Sequence, residues 1–188
     1  SILTNVIGAF AKAGQPELAE KWLDRLPEFG CHADNIAYNF VLKGFELKRQ
    51  PDKAEVLFDK MSKIERLDPD IEIYHTMMRA YALRHDVEGA IRYLELAESK
   101  GLRPTKEMFD IIIKRLGKSG DFWNVNLWVR RMEQSGVERD PLSSSQSSFF
   151  FFGGSESVIA QQGTGKDNFA KAERKTDLKS FYNLHKKV

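Results

Sequence analysis

Apolar residues recur along this chain at spacings of three and four, with polar residues between them. The pattern is clearest from 71 to 105, in two segments that read IEIYHTMMRAYAL and VEGAIRYLELAES. Each segment places its apolar residues on one face of a helix. Between the segments lies the polar stretch RHD, whose length suits a turn. The region therefore predicts two amphipathic helices joined by a tight turn.

The same unit recurs before and after this region. We divide the chain into four copies, 1–34, 35–70, 71–105 and 106–140, with a period of about 35 residues. Each copy carries a large apolar residue early in its first helix and a small or β-branched one in its second, namely Leu3, Tyr38, Tyr74 and Phe109, then Ala19, Ala54, Ala90 and Val125. One helix pair cannot bury its own apolar face, so neighbouring pairs must stack. The predicted fold is all-α, an array of about four helix-turn-helix repeats followed by an irregular C-terminal tail.

The second helix of each copy has a recognisable start. Pro16 and Pro51 stand at its expected first position in the first two copies, where a missing N–H does no harm. Asp86 and Asp121 precede it in the other two copies, and both are predicted N-caps. Trp22 falls on the apolar stripe of its helix, so we assign it to packing and not to base stacking.

The residues from 141 to 188 do not follow the repeat. They open with PLSSSQSS, a flexible-linker composition, and they end in a basic stretch that has the spacing of a short helix from 176 to 188. Directly after the linker stand four consecutive aromatic residues, Phe149, Phe150, Phe151 and Phe152. Exposing all four to water would be costly. We expect them to dock on the array or on a partner protein. A disordered tail is the alternative.

Composition limits the possible functions more than it indicates one. Of 188 residues, 41% are hydrophobic and 30% are charged, and the net charge is +2. Residues 1–140 carry 22 basic and 23 acidic residues, so bulk charge does not mark a binding partner. Cys31 is the single cysteine, and the four histidines lack metal-ligand spacing, so we expect no disulfide, metal or cofactor. Because Ser1 already lies within a copy, we expect the chain to be processed or part of a longer protein.

Several short stretches in the copies resemble the pentatricopeptide repeat family. They are AKAG at 11–14, YN at 38–39, AEVLFDKM at 54–61, LDPD at 67–70 and GLRPT at 101–105. The resemblance covers residues 1–140. The tetratricopeptide repeat has a similar period, but its Trp-Leu-Gly-Tyr spacing is absent from every copy. The resemblance implies a right-handed α-solenoid that binds single-stranded RNA in a mitochondrion or, alternatively, a plastid, and that is not an enzyme.

The resemblance also implies which side chains read bases. Members of the family read about one base per repeat with two or three side chains. One reader lies near the start of the first helix and another is the last residue of the repeat, which gives the pairs Thr4 and Asp34, Asn39 and Asp70, His75 and Thr105, and Asp110 and Asp140. The first two pairs match family combinations for guanine and uracil. The last two pairs match none.

Basic residues follow the first reader in three of the copies. Lys43, Arg79 and Lys114 stand four residues after it, on the same helix face, and Gly8 takes that position in the first copy. About one turn further along come four more cations, Lys12, Lys48, Arg84 and Lys118. We predict that these residues contact RNA phosphates. The alternative is a solvated helix face on which Asp110 and Lys114 form an ordinary i,i+4 pair.

Two functions remain open from the sequence. The first is an RNA-binding subunit of a larger ribonucleoprotein, such as a mitochondrial ribosome or an RNA-processing complex. The second is a protein–protein scaffold in a large organellar complex that does not read RNA. The short array, the unmatched reader pairs and the tail favour the second function, whereas the recurring cations and the two matched pairs favour the first.

Overall fold

The structure is a computed structural model that describes residues 2–65 and 67–137. Within these ranges the chain forms α-helices and one short 3₁₀ helix, and the described part contains no β-strand. The α-helices are α1 (Ile2–Lys12), α2 (Pro16–Arg25), α3 (Asn35–Leu47), α4 (Pro51–Ser62), α5 (Ile71–Leu83), α6 (Val87–Ser99), α7 (Lys106–Ser119) and α8 (Phe122–Gln134). The expected all-α helical repeat fold is confirmed.

The helices form two layers. In the first-helix layer α1, α3, α5 and α7 pack side by side in chain order. The second helices α2, α4, α6 and α8 each pack against their own first helix, and α2, α4 and α6 also pack against the next first helix. Every helix pair is thus held by its neighbours as well as by its own turn, as expected for a repeat array.

The core lies between the two layers and consists of the repeated apolar stripes. In α3 and α5 the stripe is buried throughout, with Phe45 and Met77 at 0% exposure. The recurring alanines of the second helices, Ala19, Ala54 and Ala90, are also buried, which allows close helix contact. In α1 only the inner side of the stripe is buried, because the part of the chain described here provides no helix on the outer side of α1.

The predicted helix starts agree with the structure. Asp86 and Asp121 accept hydrogen bonds from the backbone N–H groups of Gly89 and Asn124, at 2.8 and 3.2 Å. Pro16 and Pro51 are the first residues of α2 and α4. These starts depend on local bonding, so the sequence alone is enough to place them.

The end of α2 differs from the predicted pattern. Pro27 has no N–H to donate to Leu23, so the α-helix stops at Arg25 and the chain continues as a 3₁₀ helix, Leu26–Phe29. Trp22 is half-buried rather than a full core residue, and its ring stacks on Phe29 at 6.3 Å between centroids.

Some predictions concern residues outside the described ranges. These residues are Asp140, the four phenylalanines Phe149, Phe150, Phe151 and Phe152, and the stretch 176–188. None of the described helices is long and apolar enough to cross a membrane.

Candidate nucleic-acid interface

The predicted readers of the first helices occupy equivalent places on successive helices of one layer. We call Thr4, Asn39, His75 and Asp110 the reader column; they lie on α1, α3, α5 and α7. Thr4 is buried, whereas the other three are half-buried. Because the four helices pack side by side, the column runs across the first-helix layer.

The basic residues one turn later form a second column beside the first. We call Lys43, Arg79 and Lys114 the cation column; all three are exposed. In the first copy the equivalent Gly8 is buried under Phe40, where a Cβ atom would lie 3.0 Å from the ring. The cation column therefore spans α3, α5 and α7 and is absent from α1.

The members of the cation column differ in how they are neutralised. Arg79 contacts the carboxylate of Glu46 on α3 at 2.8 Å, and the Glu46 side chain is only 5% exposed. Lys114 lies 3.6 Å from Asp110, one turn earlier on its own helix, and is 74% exposed. Burial raises the pKa of Glu46, while Arg79 and Lys43 oppose that rise. Lys114 is thus weakly paired, whereas Arg79 is held by a buried partner.

Neighbouring residues affect the charge of two readers, His75 and Asp110. Burial lowers the pKa of His75, and the nearby positive charge of Arg79 lowers it further, so the imidazole is neutral at neutral pH. Asp110 lies between two lysines, Lys106 at 3.4 Å and Lys114 at 3.6 Å. His75 therefore presents a neutral ring in the column, and Asp110 presents a carboxylate that is largely compensated.

Three of the predicted readers at the ends of the copies are N-caps of the following first helices, namely Asp34, Asp70 and Thr105. Asp34 accepts from the N–H of Ala37 at 2.8 Å, and Asp70 accepts from the N–H of Ile73 at 3.1 Å. Thr105 is the N-cap of α7, but its side chain accepts no capping hydrogen bond. The two bonds fix the carboxylates of Asp34 and Asp70 at the starts of α3 and α5 and leave each a second oxygen for other contacts.

The four cations further along do not form one row. Lys12 and Lys118 lie in the last turns of α1 and α7, whereas Lys48 and Arg84 follow the ends of α3 and α5. Lys48 is 3.4 Å from Glu17, and Arg84 donates to the carbonyl oxygen of Arg49 at 3.5 Å. The structure places Lys118 beside two members of the cation column, Arg79 and Lys114, whereas Lys48 and Arg84 contact protein partners.

A groove of about 190 Å³ opens between α5 and α7. Four basic residues line it together with Ala82, Leu83 and Ile111; they are Arg79, Lys114, Arg115 and Lys118. Arg115 donates through Nε to the Ala82 carbonyl oxygen at 2.7 Å, so it is committed to the end of α5. The remaining cations surround a surface that suits an anion such as a phosphate.

Sequence reasoning missed three residues of this layer: Glu46, Thr76 and Arg115. Each contacts a residue about one period away, namely Arg79, Asn39 and Ala82 respectively. Glu46 also stands where two other copies have alanine, Ala11 and Ala82, so a charged residue at a buried position was a visible signal. In the described ranges, no group of three His, Cys, Asp or Glu residues is arranged to hold a metal ion.

Comparison with known proteins agrees with this architecture. The PPR repeat model matches residues 1–31 and 36–65, and the pentatricopeptide repeat domain model matches residues 56–119, so together they cover more than half of the chain.

Among curated proteins, a chloroplastic pentatricopeptide repeat-containing protein of Arabidopsis thaliana is 31% identical over 117 residues, which is 62% of this chain and 15% of the relative. Small ribosomal subunit protein mS78 of the same plant is 29% identical over 97 residues, which is 52% of this chain and 24% of the relative. This chain therefore spans less than a quarter of the first relative and about a quarter of the second.

Among solved structures, the maize pentatricopeptide repeat protein PPR10 superposes with a TM-score of 0.64 at 23% identity, over 74% of this chain and 20% of its own. PPR10 has also been solved in complex with an 18-nucleotide RNA element. At this level of identity the likeness concerns the fold alone. With its family matches, its two-layer array and its 35-residue period, the chain belongs to the pentatricopeptide repeat family.

Proposed function

We propose that this chain binds single-stranded RNA across its first-helix layer. The observation that carries the proposal is the pairing of two columns, one of readers and one of cations, one helical turn apart on α3, α5 and α7. A backbone that crosses these helices meets one cation per copy, while its bases meet one reader per copy.

The chemistry of the two columns suits separate tasks. Lys43, Arg79 and Lys114 interact with phosphates and supply affinity that does not depend on the base. Asn39 with Asp70, and Thr4 with Asp34, offer hydrogen-bonding groups to base edges. His75 with Thr105 and Asp110 with Asp140 complete the proposed readers. No catalysis by this chain is proposed.

The proposed setting is a ribonucleoprotein in an organelle. Three curated relatives are named small ribosomal subunit proteins, two are named chloroplastic and one is named mitochondrial. We propose the mitochondrion, with the plastid as the alternative, and a ribosome or an RNA-processing complex as the assembly.

A second candidate is a scaffold that contacts protein subunits without reading RNA. One observation favours it: two of the three members of the cation column already have carboxylate partners. Arg79 pairs with Glu46, and Lys114 pairs with Asp110. A layer whose charges were fully compensated would gain little from phosphate.

The experiment is a binding titration with a pool of short single-stranded RNAs over a series of salt concentrations. The test variant changes Lys43, Arg79 and Lys114 to Glu. The matched control changes three exposed lysines of the second-helix layer to Glu, with the same change in net charge; they are Lys21, Lys63 and Lys100.

For the wild type we expect a slope of log affinity against log salt of about −2, which corresponds to three phosphate contacts on a single strand. The test variant should lose at least about tenfold in affinity at low salt, and the control should lose much less. An equal loss in both variants would point to bulk charge. If the wild type shows no binding at low salt, the scaffold becomes the better function.

A further inference from the structure

The reader Asn39 is held by a residue of the next copy. Thr76 on α5 is 1% exposed, and its hydroxyl oxygen lies 2.8 Å from the side-chain oxygen of Asn39. The same hydroxyl lies 2.9 Å from the carbonyl oxygen of Glu72, one turn earlier on α5. Asn39 is half-buried on α3, so this contact crosses from one copy to the next.

A threonine hydroxyl has one hydrogen, so it can donate fully to only one of these two oxygens. Glu72 is the second residue of α5, and its carbonyl oxygen accepts the backbone N–H of Thr76 in the regular helical pattern. The Asn39 oxygen has no such helical partner. The Thr76 hydroxyl therefore gains more by donating its hydrogen to the Asn39 oxygen than to the Glu72 carbonyl oxygen.

The direction of this bond decides what Asn39 presents to a ligand. An asparagine amide carries one oxygen that accepts and one NH₂ group that donates. If its oxygen is bound to Thr76, the amide directs its NH₂ group away from α5. In the opposite arrangement Thr76 would donate to Glu72 and accept from the NH₂ group, and Asn39 would present its oxygen.

We propose that Thr76 is a positioning residue that fixes Asn39 as a hydrogen-bond donor, so that the second copy prefers bases with a carbonyl edge over bases with an amino edge. Uracil presents a carbonyl oxygen at the position where cytosine presents an amino group. This inference rests on the proposed RNA-binding function and adds to it a determinant outside the two reader positions.

The other copies provide an internal contrast. The residues equivalent to Thr76 are Phe40 on α3 and Ile111 on α7. Phe40 packs over Gly8, and Ile111 lines the groove beside Arg79. Both side chains are apolar, so neither can orient a reader of the preceding copy by a hydrogen bond.

The test compares binding of short RNAs made of uracil with binding of RNAs made of cytosine, for the wild type, Thr76→Val and Thr76→Ser. Valine keeps nearly the same shape but removes the hydroxyl, whereas serine keeps the hydroxyl. We expect the wild type to prefer uracil by about tenfold, Thr76→Val to reduce this preference to about threefold or less, and Thr76→Ser to retain it.

A purely structural role would lower binding of both RNAs equally and leave their ratio unchanged, which would overturn the inference. A wild-type preference for cytosine would also overturn it, because Asn39 would then present its oxygen. If the wild type binds neither RNA, the proposed function fails and the base preference fails with it.

A readout without RNA separates the two failures. The side-chain NH₂ resonance of Asn39, assigned with an Asn39→Asp variant, should shift in Thr76→Val and stay in place in Thr76→Ser. An unchanged resonance in Thr76→Val would show that Thr76 does not hold the amide, whatever RNA binding is observed.

Discussion

The two layers use their charges differently. In the second-helix layer, ion pairs join successive copies, with the carboxylate on the earlier copy and the cation on the later one. They include Glu17 with Lys53 at 2.8 Å, Asp24 with Lys60 at 2.5 Å, Glu55 with Arg92 at 2.7 Å, and Arg131 with Glu98 at 2.5 Å and with Glu95 at 3.7 Å. In the first-helix layer, Arg79 is joined to the preceding copy through Glu46, whereas Lys114 is paired with Asp110 on its own helix.

This difference suggests that the charges of the second-helix layer serve the stacking of copies, whereas those of the first-helix layer serve ligand binding. Exposed ion pairs contribute little to stability, at most about 1 kcal/mol each, so the more exposed second-helix pairs, such as Asp24 with Lys60, mainly favour one register between copies. The cations of the first-helix layer are less fully matched, which leaves charge for a ligand.

The largest effect concerns packing between a first helix and its second helix. A Cβ atom on Gly89 of α6 would lie 2.2 Å from the ring of Tyr81, and Tyr81 is fixed by its hydrogen bond to Glu55. We expect Gly89→Ala to destabilise the protein by about 2–3 kcal/mol in urea unfolding.

The matched control is Gly117 of α7. Among the described residues, no atom lies within 4 Å of a Cβ atom placed on Gly117. Gly117→Ala should stabilise the protein by about 0.5–1 kcal/mol, because alanine is the better helix former. Equal effects of Gly89→Ala and Gly117→Ala would contradict the packing argument.

The second prediction breaks one link of the second-helix layer. Arg131 is 19% exposed, pairs with Glu98 and places its guanidinium 4.6 Å from the centroid of Trp128. Arg131→Ala should cost about 1–2 kcal/mol, measured by thermal unfolding. Lys60→Ala removes a pair whose side chains are both 46% exposed, and it should cost less than about 0.5 kcal/mol. A larger loss of stability for Lys60→Ala than for Arg131→Ala would mean that the exposure of an ion pair does not determine its contribution.

The third prediction concerns the turns that join the layers. The equivalent turn residues Gly14, Arg49, His85 and Gly120 all have positive φ, between 55° and 78°. This conformation strains residues other than glycine. We expect His85→Gly to stabilise the protein by about 0.5 kcal/mol and Gly120→Ala to destabilise it by about 1 kcal/mol. Chemical unfolding would measure both, and a stabilising Gly120→Ala would refute the strain argument.

The fourth prediction concerns the buried pair of the first-helix layer. Burial raises the pKa of Glu46 above its ordinary value of 4.5, so the folded chain keeps this proton at pH values where the unfolded chain has released it. The unfolding free energy of the wild type relative to Glu46→Gln should therefore fall as pH rises from 4.5 through the raised pKa. Urea unfolding across that range tests the sign, and a difference that grows with pH would contradict it.

The same variant probes the cation column. Glu46→Gln removes the negative charge beside Arg79, so we expect RNA affinity to rise by about twofold to threefold at low salt. Glu17→Gln is the control, since it removes an exposed carboxylate near Lys48 and Lys53 on the second-helix side. A similar gain in both variants would indicate a general charge effect.

Much of the local structure could be predicted, and the reason is visible in particular residues. Asp86 and Asp121 cap helices because their carboxylates reach N–H groups three residues later, and Pro16 and Pro51 begin helices because they need no donor there. The reader and cation columns were proposed from their positions in the repeat, and they stay proposals. The 3₁₀ segment after α2 had a visible cause in Pro27, but its geometry did not follow from the apolar pattern.

The family, the all-α repeat fold, the helix starts and the apolar stripes can be predicted from the residues alone, because spacings of three and four residues, recurring motifs and local caps encode them. Three contacts follow from the tertiary structure and not from the pattern: Glu46 is buried against Arg79, Thr76 is hydrogen-bonded to Asn39, and Arg115 donates to the carbonyl oxygen of Ala82 near the end of α5. Each of these contacts joins residues about one period apart, on different helices. Their geometry depends on how far one helix slides and turns against the next, and the packing of large side chains in the core sets that fit.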